Sequence, residues 1–91
     1  MNQFERMQAR DFEALTVVLD SEASFFKGLA GIVTKDRRVT IRRLRPLVCS
    51  YVARLIERNR HVYGYLSGAL YGVSWLDLAE HYTTKAKEGA F

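Results

Sequence analysis

Ninety-one residues, 48% apolar and 26% charged, with six Gly and one Pro, fit one small folded domain and exclude collagen-like, low-complexity and disordered chains. A single cysteine excludes an internal disulfide and a cysteine-based zinc site. The net charge of +4 conceals a segregation: residues 1–34 carry three basic and five acidic side chains, residues 35–61 nine and two, and residues 62–91 two and three.

The chain opens Met1-Asn2-Gln3-Phe4-Glu5-Arg6, without the basic start and apolar core of a secretory signal. Phe4, Met7, Phe12, Leu15, Val18 and Leu19 recur at helical spacing, so residues 3–20 are expected to form an amphipathic helix. Asp11 falls inside that apolar stripe. A carboxylate there needs water or a cationic partner, so it sits at an open end of the stripe or pairs with an arginine of the central segment.

Asp20-Ser21-Glu22 is a helix-start signal, with Asp20 or Ser21 as the cap of a second helix over about residues 22–31. Gly28 and Gly31 weaken that helix by about 1 kcal/mol each relative to Ala, unless a neighbouring helix uses the space. Residues 32–41 hold two β-favouring triplets, Ile32-Val33-Thr34 and Val39-Thr40-Ile41, around Lys35-Asp36-Arg37-Arg38. They read either as a short β-hairpin or as a loop in which Thr40 caps the next helix.

Leu44, Leu47, Val48, Tyr51, Val52, Leu55 and Ile56 mark the clearest helix. Pro46 suits only a first turn, so the regular part is expected to begin near residue 45, and Asn59 to end it or start a new turn. Cys49, at the edge of the stripe, is expected as a small buried hydrophobe. The longest uncharged run, Val62 to Leu76, is fifteen residues, short of the roughly 20 that span a bilayer. Within it Gly64, Gly68 and Gly72 are spaced by four, which implies close helix packing or a self-association seam of a homodimer. Ser74 with Asp77 forms a capping box for a last helix lined by Trp75, Leu78, Ala79 and Tyr82. That helix is expected to fade by Thr83-Thr84 and leave residues 85–91 as a frayed tail. The fold class expected is a mainly α bundle of four to five helices in a single domain, with a short hairpin near 32–41 as its one β element if the loop alternative does not hold there.

Chemistry is sparse. Asp77 and His81 stand one turn apart, but an acid–base dyad needs a nucleophile and none accompanies it. No phosphate-binding glycine loop, nucleophile elbow or metal-ligand set is present. The chain therefore reads as non-enzymatic, without cofactor or metal. The lone thiol and the absent signal place it in the cytoplasm.

The basic stretch carries the functional expectation. Eight of its nine cations are arginine, whose planar fork suits phosphate and carboxylate oxygens. The candidate nucleic-acid-binding residues are Arg37, Arg38, Arg42, Arg43 and Arg45, extended by Arg54, Arg58 and Arg60, and their guanidinium groups are expected on a shared outward surface. The partner is single- or double-stranded nucleic acid, held by phosphate neutralisation, or an acidic protein surface on which a small regulator or inhibitor docks. Gly68, Gly72, Val73, Ser74 and Leu78 fit the spacing of a helix-turn-helix, but its outward residues Trp75, Leu76, Ala79, Glu80 and Thr83 include no cation. Arg38-Val39-Thr40-Ile41-Arg42, ahead of two helices, resembles a ribbon-helix-helix, which implies that outward Arg38, Thr40 and Arg42 of a dimer enter the major groove. Interleaved Tyr51, Tyr63, Tyr65, Tyr71 and Trp75 add rings on which bases stack, though most lie at core spacing.

Overall fold

In the computed structural model, which describes residues 1–91, Asn2 starts the first helix. Its side chain accepts from the Glu5 amide at 2.8 Å and donates to the Glu5 carboxylate at 3.0 Å, satisfying one of the free N–H groups of helix α1, Gln3–Leu19. Leu15, Thr16 and Leu19 are buried, while Phe4 is 66% and Met7 45% exposed. The apolar stripe is thus buried only in its second half, and Met7 and Arg10 border a cleft against α5 residues instead.

Five helices and one single turn make up the chain, with no strand. After α1 come α2 (Ala23–Ile32), α3 (Ile41–Arg58), the turn α4 (Arg60–Tyr63), α5 (Leu66–Gly72) and α6 (Trp75–Lys87). No helix is long and apolar enough to cross a membrane. Helix α3 is central: α2, α5 and α6 pack around it, and α1 lies along α5.

Several boundaries differ from the expectation, each for a local reason. Asp20 ends α1 rather than capping α2, whose N-cap is Glu22, without a side-chain hydrogen bond. Of the two readings of residues 32–41 the loop holds, with Thr40 as the N-cap of the next helix, and the hairpin does not form, because Val33 donates to Leu29 and so still belongs to the end of α2. Thr34 and Arg38 close a tight loop through one amide bond of 2.9 Å, and the next ladder position is taken by Thr83, whose hydroxyl bonds Val39 on both its amide and its carbonyl. Helix α3 begins at Ile41 rather than 45, with Pro46 in its second turn. Pro46 is exposed there, so water reaches the carbonyl of Arg42 that its missing N–H leaves free. Asn59, extended at φ −154°, ends α3 and also caps α4 by accepting from the Val62 amide at 3.2 Å.

Gly64, Gly68 and Gly72 do not form one ridge, since the helix breaks between α4 and α5. A methyl on Gly64 would strike the Arg60 carbonyl at 2.6 Å, whereas one on Gly68 would meet nothing. Gly72 alone makes a close interhelical approach, to the Asp11 carboxylate of α1. Asp11 is half-buried there and pairs with no arginine. Gly28 supplies the other close approach: a methyl on it would lie 2.8 Å from the tip of the Leu47 side chain, where α2 and α3 meet.

The tail is also ordered. Ser74 accepts from the Asp77 amide at 3.2 Å as expected, but α6 runs on to Lys87. The Ala90 amide donates to Lys85 and that of Gly89 to Ala86, with Gly89 at φ +78°. This is the paired-bond glycine stop that satisfies the last helix carbonyls. The Phe91 ring lies 5.9 Å from that of Phe26. Because an L side chain is strained at that φ, Gly89→Ala should lower stability by about 1 kcal/mol, read as a drop in thermal midpoint.

Sixteen buried residues, drawn from all five helices and from Val39 and Val73 beside them, form one apolar cluster. At its centre the Phe25 ring meets Phe26, Tyr51 and Tyr82 edge-on at 6.2, 5.6 and 5.4 Å. These contacts tie α2 to α3 and α6.

Candidate nucleic-acid interface

The basic stretch begins in the loop between α2 and α3. Arg37 adopts φ +63°, and its guanidinium turns inward to the end of the chain: Nε and Nη2 donate to the Ala86 carbonyl at 3.1 and 2.7 Å, and Nη2 to that of Phe91 at 2.7 Å. Arg37 is thus a structural brace and leaves the candidate set. Beside it the Thr34 hydroxyl donates to Asp36 at 2.5 Å. That bond, with a backbone amide and the charges of Arg38 and Lys87, holds the Asp36 carboxyl below its ordinary range. One local negative charge therefore stands against Lys35 and Arg38.

On α3 the buried residues Leu44, Val48, Tyr51, Val52 and Leu55 define the inward face. At 100° per residue, Arg42 and Arg45 fall on one margin with Cys49, and Arg43, Arg54 and Arg58 on the other with Leu47. Between the margins the outward strip carries Pro46, Ser50, Ala53 and Glu57. The arginines therefore do not converge on one patch as expected. They border a strip of mostly small residues on both sides along a helix about 27 Å long. Arg60 continues the series into α4.

Asp36 stands near Arg38, but none of these arginines forms an ion pair within 4.0 Å. The acid–base contacts of the structure are a His81–Asp20 hydrogen bond at 2.9 Å and a Lys85–Asp20 pair at 4.0 Å, and neither involves an arginine. Arg38, Arg42, Arg43, Arg45, Arg54, Arg58 and Arg60 are all exposed and form no side-chain hydrogen bond. Two are held over rings instead: Arg45 lies 5.4 Å from the Trp75 centroid and Arg54 5.3 Å from that of Tyr51. The first turns of α3 contain Arg42, Arg43 and Arg45, no acidic residue in the first, and a cap, Thr40, without a side-chain bond. Cations crowded at the positive end of a helix raise the local potential further.

Neither named DNA-binding pattern survives intact. The ribbon-helix-helix resemblance fails because Arg38–Thr40 is loop and Ile41 and Arg42 are helical. Helices α5 and α6 follow each other across Val73 and Ser74, but they do not pack as a helix-turn-helix pair, Ala79 is buried and Thr83 is bonded to Val39. What α6 presents outward is Leu76, Asp77, Glu80, Thr84 and Lys87, a face that repels phosphate more than it attracts it.

One feature that local spacing does not reveal is the partner of His81. It bonds Asp20, sixty-one positions away, rather than Asp77, and stacks edge-on with Phe12 at 5.3 Å. Cys49, expected as a small buried hydrophobe, is only half-buried. It opens onto a cleft of about 310 Å³ between α3, α5 and α6.

No protein-family model matches the sequence, and no curated protein or solved structure is significantly similar to it.

Proposed function

We propose that this chain is a small nucleic-acid-binding protein that acts by holding phosphates rather than by catalysis. The observation that carries the reading is the set of seven exposed arginines between residues 38 and 60, none of which forms an ion pair within its own chain. Unpaired guanidinium groups repel one another and cost stability, and a polyanion offsets that cost. The surface suits phosphate better than an acidic protein. The strip between the two arginine margins offers Pro46, Ser50, Ala53 and, near its far end, Glu57, and no aromatic or large apolar side chain to anchor a protein interface.

Fluorescence anisotropy with labelled single- and double-stranded oligonucleotides across a salt series tests this. Four phosphate contacts should weaken binding about a hundredfold between ~50 and ~200 mM salt. Arg43→Glu sharpens the test. Position 43 is the third of α3, so a glutamate there completes a capping box with Thr40 and removes a cation from the helix start. The variant should gain about 0.5–1 kcal/mol in stability and lose affinity, which assigns the loss to charge and not to unfolding. Absence of oligonucleotide binding at the lowest salt would overturn the proposal.

A further inference from the structure

Tyr71 is 93% exposed, the most open of the large apolar side chains. It stands on α5 at the rim of the cleft that Arg45, Cys49, Ser67, Leu70, Tyr71 and Trp75 line together. An aromatic ring left in water at the mouth of a concavity gives up the stabilisation that burial would bring, and such rings mark ligand sites. Here the ring has two neighbours suited to one class of ligand. Arg45 has no anionic partner and is already oriented by Trp75, so little freedom is lost when a phosphate arrives. Arg42 lies three residues before it on the same margin of α3. The cleft lining adds an apolar side chain, Leu70, and Ser67, whose hydroxyl donates to the Gly64 carbonyl and keeps a lone pair to accept from a base edge.

We infer that this cleft takes one unpaired base of a single-stranded nucleic acid, stacked on Tyr71, with the adjoining phosphates on Arg45 and Arg42. A paired base is unavailable to such a slot, because its faces are covered in the duplex. The inference rests on the proposed nucleic-acid binding and adds to it a strand preference and a location.

Trp75 is the only tryptophan, so its emission reports on the cleft alone. An oligothymidylate of about ten nucleotides should quench that emission as it binds, and a duplex of equal length should not. Tyr71→Ala, at so exposed a position, leaves the fold intact. It should weaken single-strand binding about tenfold without altering duplex affinity, while Tyr71→Phe, which keeps the ring, should stay within about twofold of the parent. Single-strand binding seen by anisotropy but without quenching, or unchanged by Tyr71→Ala, overturns the base slot and leaves phosphate binding standing. An equal loss for single strand and duplex does the same. Failure of every oligonucleotide to bind removes both.

Discussion

Phe25→Ala is expected to cost about 3–5 kcal/mol, the range for truncating a fully buried phenylalanine. The whole fold of a chain this size is stable by only about 5–14 kcal/mol, so the variant should be marginal or unfolded. The reason is local to the core. Only eighteen residues are buried, and Phe25 is fully so. Its ring touches three others edge-on, so its loss opens a void between α2, α3 and α6 and removes aromatic contacts beyond the area term. The cavity cannot close easily, because Gly28 already brings α2 against Leu47. Urea unfolding followed by circular dichroism should show a midpoint lower by about 2–3 M, given a slope near 1–2 kcal/mol per molar. A loss under about 1 kcal/mol would show that the ring is not packed as described.

Tyr82→Phe is expected to separate two effects along the pH scale. The Tyr82 hydroxyl donates to Asp20 Oδ1 at 2.9 Å, and burial, reinforced by the Asp20 charge and this bond, pushes its pKa far above the ordinary value of 10.0. In the unfolded chain the phenol ionises near that ordinary value. The folded form therefore keeps a proton that the unfolded form releases, and its stability is intact below pH 10. Above it, stability falls by about 1.4 kcal/mol per pH unit from this residue alone. At neutral pH, Tyr82→Phe should cost about 1.5–3 kcal/mol, the worth of a hydrogen bond to a charged acceptor. It also deletes the alkaline loss, so the two stability curves should converge above pH 11. Urea melts between pH 7 and about 11.5 read this directly, and parallel curves would refute the assignment.

Much of the fold is legible in the sequence wherever periodicity decides. Leu44, Val48, Tyr51, Val52 and Leu55 recur at helical spacing and all prove buried, and Ser74 caps α6 as its spacing with Asp77 implies. Periodicity fails where tertiary partners decide. The β-favouring residues 32–34 and 39–41 form no strand, because α2, the Thr83 hydroxyl and the start of α3 claim their backbone groups. Residues 85–91 carry no stripe, yet a glycine stop and the Phe91–Phe26 contact fix them.

The candidate site divides in the same way. Segregation of arginine is a sequence property and is visible at once. The helical wheel of α3 separates Arg42 and Arg45 from Arg43, Arg54 and Arg58, once the inward face is known. The inward turn of Arg37 has no local signature, since it depends on a left-handed backbone and on carbonyls about fifty residues away. The exposure of Tyr71 is equally hidden, because its neighbours Leu70 and Val73 look no different in composition and are packed.

Asp20 has a consequence for how the molecule comes apart. A carboxylate at the last turn of α1 faces the negative end of that helix and is disfavoured there by a few tenths to about 1 kcal/mol. It is offset only by His81, Tyr82 and Lys85, all on α6. When α6 detaches, the end of α1 loses its compensation at the same moment. Loosening of α6 should therefore raise solvent exchange in the last turn of α1, while the rest of α1 stays held along α5.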